Sequence, residues 1–399
     1  MKKLLLASSA SVVALAIAGS SSAQMIKDTR FQMKAGVGGS VGISLEGFTQ
    51  KDAGPAATLV MPDFQNFIKV FADGQLTSLG LNFGAMLQLR PLKSFTDNTA
   101  DGSPKAFKIG YLYFGHKSLG KVTLGKDYSV VVKNLIDGSN IVPGNSQSGE
   151  ELAKSSPYRS DTIDIANSDA NIKVSYETPN IYGLKLGYSY TPKAAAMAVT
   201  KTADKSGVNV QNAHDGSIRY DAAYGPMSFA LNLGVRGADV AADQTKVGAF
   251  DDKGKATTAL PINALGGKIF GYTTGAQIAY TDGQNVGVTL NGGFHHQTLY
   301  NSAANNQASA WSIGTAFTSP RLTGLTLGLV YGQGQQGVST NNKNQGVTAQ
   351  HFGVGLGYVW SENFSQTLSY DQVIGTKVDG QTAKNRDVGY WILNSQATF

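Results

Sequence analysis

The sequence predicts an all-β fold: a transmembrane antiparallel β-barrel of about 16 strands with a long third loop folded into the lumen. Three observations lead there. Apolar and polar residues alternate with period two over segments of about 10 residues, the length of a strand that crosses a bilayer at a tilt. The segments are joined by connections that alternate between short and long. An N-terminal export segment is followed by no apolar stretch of 18 or more residues, which excludes helical spanning.

Export is read from Lys2 and Lys3, the apolar run Leu4 to Ala18, and the small-residue end Ser21-Ser22-Ala23. The run is about 15 residues, shorter than the roughly 20 of a spanning helix. Residues 1–23 are therefore expected to be a cleaved signal peptide and residues 24–399 a single barrel domain. The chain has no cysteine, so the exported fold holds without disulfides; a closed sheet supplies each strand with two neighbours and leaves no edge. Without the signal, 31 basic residues face 27 acidic ones, a net charge of +4, with no cluster dense enough for a nucleic-acid patch.

The alternation is explicit in several places. Leu79, Leu81, Phe83, Ala85, Leu87 and Leu89 interleave with Ser78, Asn82, Gly84, Gln88 and Arg90. Ile172, Val174 and Tyr176 interleave with Asn171, Lys173 and Ser175; Leu184, Leu186, Tyr188 and Tyr190 with Gly183, Lys185, Gly187 and Ser189. Phe352, Val354, Leu356 and Tyr358 interleave with three glycines. Strands are expected to start near residues 31, 65, 75, 105, 120, 171, 182, 216, 226, 267, 284, 308, 322, 347, 362 and 385.

Short turns are expected at Asp73-Gly74, His116 to Leu119, Pro179 to Ile181, Gly225-Pro226, Asp282-Gly283, Ser319 to Thr323 and Ser361 to Asn363. Longer polar loops lie between them. Seven short turns and eight long loops join 16 antiparallel strands when both termini lie on the short-turn side, which is the periplasmic side of a bacterial barrel. Aromatics at segment ends, among them Tyr111, Tyr113, Tyr188, Tyr190, Tyr280, Trp311, Tyr331, Tyr358, Trp360 and Tyr370, suit the two interfacial girdles.

A ring of 16 strands is too wide to be filled by its own side chains and leaves an aqueous channel. Glycine, serine and asparagine on the inward rank agree with a wet lumen. The loop at 127–170 is far longer than an ordinary structureless loop and is expected to fold inward, with Ser148 to Lys154 as a short helix. It carries Asp127, Asp137, Glu150, Glu151, Asp161, Asp164 and Asp169 against Lys133, Lys154 and Arg159. Parity points Arg90, Lys108, Lys121, Lys173, Lys185, Arg219 and Arg236 inward, against Glu177, Asp221 and Asp371. A basic wall facing an acidic loop, with Asp137, Glu150, Glu151, Arg159 and Asp161 at the constriction, sets a field across the pore that sorts solutes by charge.

Lys108 to Lys126, with Ile109-Gly110-Tyr111-Leu112-Tyr113-Phe114-Gly115 and Leu119-Gly120-Lys121-Val122-Thr123-Leu124-Gly125-Lys126, resembles the hairpin before the constriction loop of Gram-negative general porins. Arg159-Ser160-Asp161, then Lys173 to Pro179 and Tyr182-Gly183-Leu184, is similar to that family's exit from the loop, and the final Phe399 is similar too. The resemblance is sharp over residues 105–190 and departs from the family at Gly125-Lys126, where Gly-Arg is usual, and at Ala397. It implies a homotrimer in outer-membrane lipid, assembled by the barrel-assembly machinery through Phe399. It also implies passive diffusion of small hydrophilic solutes and ions, without a cofactor.

Other classes find less in the residues. The five histidines form no pair with a nucleophile in sequence, no metal-ligand spacing is present, and no enzyme is expected. Gly36, Gly38, Gly39 and Gly42 lie in a strand with no helix after them, unlike a nucleotide loop. A solute-specific pore for phosphate, an organic acid or a sugar remains the alternative, and needs a ladder of basic or aromatic lumen residues. A structural barrel plugged by its loop is a further one.

Overall fold

In a computed structural model, the described residues are 26–27, 31–50, 59–89, 107–144, 171–197, 208–240, 247–250, 256–260, 268–283, 286–300, 306–319, 322, 324–340, 343–378 and 386–399. The expected signal peptide lies outside them.

Sixteen strands form the barrel. They are β1 (Phe31–Gln50), β2 (Leu59–Leu76), β3 (Leu81–Leu89), β4 (Phe107–His116), β5 (Gly120–Asp127), β6 (Asn171–Glu177), β7 (Leu184–Met197) and β8 (Val208–Tyr224). Then follow β9 (Met227–Val240), β10 (Lys268–Thr281), β11 (Gly287–Tyr300), β12 (Asn306–Thr318), β13 (Leu325–Thr340), β14 (Lys343–Ser361), β15 (Phe364–Val378) and β16 (Arg386–Thr398). Each pairs antiparallel with the next, and β16 pairs antiparallel with β1 from Val388↔Gln50 to Thr398↔Ser40, which closes the ring. Phe399 adds a rung: Gly39 N donates to Phe399 O at 2.9 Å and Phe399 N to Gly39 O at 3.0 Å. No described helix is long and apolar enough to cross a membrane.

Period-two alternation decides which face turns out. Leu186, Tyr188, Ile218, Tyr220, Leu231, Leu233, Phe317 and Leu356 are exposed, while their sequence neighbours Ser189, Ser217, Asn232 and Ala316 are buried. An exposed apolar rank that circles a closed sheet is the lipid face; the buried polar rank faces the lumen. On the lipid face, Trp311 packs edge-on to Tyr331 at 5.5 Å and Tyr358 to Trp360 at 4.5 Å, at positions expected for the girdles.

Six of the seven short turns place a glycine at positive φ, such as Gly80 at 62° and Gly183 at 90°, a conformation that costs other residues a Cβ clash. The first turn is not Asp73-Gly74. Those two residues lie inside β2, and the chain reverses through Thr77–Leu79 and Gly80. Asp73 stays in the strand because its carboxylate accepts from the Tyr113 hydroxyl at 2.6 Å. On the other side, strands are longer than the roughly 10 residues that cross a bilayer. β13 runs to Thr340 and β14 starts at Lys343, so one expected long loop is taken up by strand.

Tyr111 and Tyr113 correct the girdle assignment. Both point inward, as the Tyr113 bond to Asp73 requires, and Leu112 and Phe114 take the lipid face. From Ile109 to Gly115 both ranks of β4 are apolar or aromatic, so hydropathy alone does not choose between them; the polar partner inside does.

Candidate functional site

The lumen is built around the segment that follows β5. Tyr128–Gly144 opens with a helical turn, Val130–Lys133, whose N-cap Ser129 accepts from Val132 N. A second turn, Gly138–Ile141, is capped by Asp137, which accepts from Ser139 N at 3.0 Å. Along this stretch the chain meets nine consecutive strands. Val130 lies over Gly187 of β7, Asn134 donates to Ser217 of β8, and Ile136 N donates to Asn232 of β9 at 3.2 Å. Gly144 ends beside Ser369 of β15.

The route between these points is fixed by reach. Eight interstrand gaps of about 4.8 Å, at a strand tilt of about 40°, make a path around the outside of about 50 Å. The chain from Val130 to Gly144, with two helical turns, reaches about 36 Å at most. The segment therefore runs inside the barrel, along the inner wall.

A groove of small residues receives it. On seven of the nine strands the contact position is glycine: Gly187, Gly234, Gly275, Gly293, Gly314, Gly328 and Gly355. A Cβ on Gly275 would stand 2.2 Å from the Ile136 carbonyl oxygen, on Gly314 1.9 Å from that of Gly138, and on Gly355 2.0 Å from that of Pro143. Val130, Val131, Ile136 and Val142 are buried in the groove, each worth about 1.5–3 kcal/mol if fully removed from water. Inward glycines, which polarity alone assigns to a wet lumen, seat the loop on β7 and β9 to β14.

Asp137 is the central anchor. It is buried, with His295 Nε2 at 3.0 Å and Ser312 Oγ donating to its other oxygen, while Gly138 N donates to Ser312 Oγ at 3.0 Å. Asn291 Nδ2 donates to the Asp137 carbonyl at 3.2 Å. Burial alone would push the Asp137 carboxyl up, but bonds from His295, Ser312 and the Ser139 amide, with the His295 charge, hold it below its ordinary value. His296, one residue on, points to the lipid face beside Tyr272.

The inward charges divide into two groups. Lys173 is 2% exposed; its amine donates to the Asp127 carbonyl, and Asp127 pairs with Lys133. Arg236 is buried against Asp215. Lys173, Lys133 and Asp137 tie the wall to the segment, and the Arg236–Asp215 pair joins β9 to β8, rather than present charge to water, which corrects the placement of Lys173 and Asp137 as pore lining. The reason is cost: a buried charge must be paired and hydrogen-bonded.

The second group faces the water-filled space. Lys185 and Lys121 flank Glu177 at 2.7 and 3.3 Å, and Arg219 grips Asp221 through Nε and a terminal nitrogen at 2.9–3.0 Å. β1 and β2 add Lys34 and Lys69, two cations beyond those expected from sequence, although Lys34, Gly36, Gly38 and Ser40 alternate with Ala35, Val37, Gly39 and Val41. Arg90, Glu150, Glu151, Arg159 and Asp161 lie outside the described residues. So does the side chain of Lys108, at a register shift opposite Gln88 and Leu89. The expected helix at Ser148 to Lys154 lies outside them as well.

Comparison with solved structures places this architecture among outer-membrane barrels. A loop-deletion form of OmpT, an outer-membrane protein of Vibrio cholerae, aligns at 13% identity over 92% of this chain and 99% of its own, with a TM-score of 0.59. An anion-selective porin of Comamonas acidovorans aligns at 14% over 92% and 100%, TM-score 0.55. OmpF of Salmonella typhi, in complex with daunomycin, aligns at 12% over 94% and 100%, TM-score 0.56. No curated protein sequence matches the chain. The sequence profile of the Gram-negative porins matches residues 9–317. With that match over most of its length, and a closed barrel whose apolar face meets lipid, the chain belongs to the Gram-negative porin family and is a channel of the outer membrane.

Proposed function

We propose that the chain is a passive diffusion pore for small hydrophilic solutes and ions, with a weak preference for anions. The observation that carries this reading is the segment Tyr128–Gly144, pinned along the inner wall from β7 to β15, with Lys34, Lys69, Lys121, Lys185 and Arg219 of β1 to β8 meeting water. Among the described side chains that meet water there, three carboxylates, Asp73, Glu177 and Asp221, stand against these five cations. Excess fixed charge in a narrow, low-dielectric passage concentrates counter-ions.

The remainder of the loop opposes this, since Glu150, Glu151 and Asp161 outnumber Arg159. In the proposed pore the loop narrows the passage without plugging it. Residues 1–23 direct export and are removed. Three copies form the functional unit, and Phe399 is the residue presented to the barrel-assembly machinery.

The test is a planar bilayer with the mature protein under a KCl gradient. Large ohmic steps, in groups of three, with a reversal potential on the chloride side, are the expected result. A reversal on the potassium side overturns the anion preference; a folded barrel that passes no current overturns the pore.

A further inference from the structure

The inward cations of the described wall differ in what they touch. Lys121 and Lys185 share Glu177, Arg219 holds Asp221, and Arg236 holds Asp215. Lys34 and Lys69 have no carboxylate within 4.0 Å among the described residues. Each lies instead over a phenyl ring: Lys69 Nζ is 4.8 Å from the Phe67 ring centre and Lys34 Nζ 6.0 Å from that of Phe71.

These four side chains form one line. The register pairs Lys34↔Asp73, Gly36↔Phe71, Gly38↔Lys69 and Ser40↔Phe67, all on the inward rank. Successive rungs on one face are about 7 Å apart, so the order amine, ring, amine, ring runs about 20 Å along the pore wall. Gly36 makes room for the Phe71 ring: a Cβ there would stand 2.7 Å from its Cζ. Among the described residues, the hydrogen bonds and glycine seats of the loop lie on β7 to β15, apart from its contacts with Asp127 of β5.

We propose that this line on β1 and β2 is a binding track for organic monocarboxylates with an aryl body. The assignment rests on the pore reading above and names a preferred solute class for it. Asp73, opposite Lys34, is held by the Tyr113 hydroxyl and makes no ion pair with it, and an ammonium outside any ion pair takes an anion. A single amine is a point charge, and the two stand about 13 Å apart, so they do not converge on one phosphate as an arginine fork or a cluster of donors does. A ring beside each amine offers an apolar face to a flat body attached to the carboxylate. Two equivalent stations in series let a solute bind, shift and leave, which conduction requires.

The experiment uses the full mature chain in planar bilayers, with KCl as carrier and sodium benzoate, sodium acetate or inorganic phosphate added to one side. Benzoate is expected to reduce the current at a half-blocking concentration about tenfold below that of acetate or phosphate, the difference one good apolar contact makes. Lys69→Gln, Lys34→Gln and Phe71→Leu are each expected to raise that concentration severalfold while leaving barrel mobility on unheated gels unchanged. Equal block by benzoate and acetate removes the rings from the proposal and overturns it, as does phosphate blocking best. Normal KCl steps with no benzoate block overturn the track and leave the pore standing. If no KCl current passes, the pore reading fails by itself. Calorimetric titration of the detergent-solubilised barrel with benzoate then decides the track: binding lost in Lys69→Gln supports it, and no binding overturns it.

Discussion

Gly314→Ala isolates the seat of the loop from the wall that holds it. The added methyl would stand 1.9 Å from the Gly138 carbonyl oxygen and 2.7 Å from its carbon, both backbone atoms that no rotamer change can move. Relief needs a shift of about 1 Å or more. That shift stretches the bond from Gly138 N to Ser312 (3.0 Å), the Asp137–His295 contact (3.0 Å) and the Asn291 bond (3.2 Å). Overpacking costs about 1–3 kcal/mol and each of the three buried hydrogen bonds left unmade about 1–3 kcal/mol, so docking around Asp137 weakens by at least about 4 kcal/mol. The barrel itself does not suffer, because alanine is no worse than glycine in a strand. The expected result is a wider pore: releasing a segment about 10 Å thick from a lumen roughly twice that width raises single-channel conductance by up to about twofold. Gly292→Ala is the control, since its added methyl meets nothing nearer than 3.8 Å. Gly314→Ala with the conductance and exclusion limit of the parent would refute the groove as the seat of the loop.

Three further outcomes follow from the same geometry. Glu177→Gln frees Lys121 and Lys185; one unit charge removed at 4–8 Å in water is worth about 0.5–1 kcal/mol, so the chloride-to-potassium permeability ratio should rise about two- to fivefold, read as a reversal potential nearer the chloride limit. Leu231→Lys, at a lipid-facing position 55% exposed in the barrel, should cost about 2–4 kcal/mol of folding into lipid vesicles, and an unchanged folding midpoint would contradict the assigned lipid face. Asp137 docks with its carboxyl held below the ordinary 3.8, so its contribution is complete above about pH 4 and is lost as pH falls through the lower docked value; conductance should hold from neutral pH to about 4 and rise only in stronger acid, and Asp137→Asn should abolish that acid step.

The strands were legible because period two is written in side-chain chemistry that lipid and water both enforce. All 16 expected starts fall within eight residues of a strand start, with the largest error at β8, where the polar stretch before Gly216 continues as strand beyond the bilayer. What was not legible depended on distant partners. Asp137 and His295 are 158 positions apart, and nothing local marks either as half of an anchor. The glycines of the groove carry no polarity signal, so they read as open water until the chain that fills them is in place. Lys34 and Lys69 were legible, since β1 and β2 alternate like the others, but no acidic partner drew attention to them. Asp73-Gly74 read as a turn because that pair favours one in isolation, and a hydroxyl 40 residues away overrode the preference.

The rungs that close the ring have a kinetic consequence. Gly39 meets Phe399, so the final seam joins strands from opposite ends of the described chain, and fourteen further strands must be in register before it forms. Contacts of such separation are slow to find, because the entropy of closing the loop is lost before any bond rewards it. Until then β1 and β16 each present an open edge, with unpaired amides on one side and an apolar rank on the other. An unclosed intermediate of this kind pairs with whatever strand it meets, so yield in refolding should fall with protein concentration, and an escort that masks either edge should restore it.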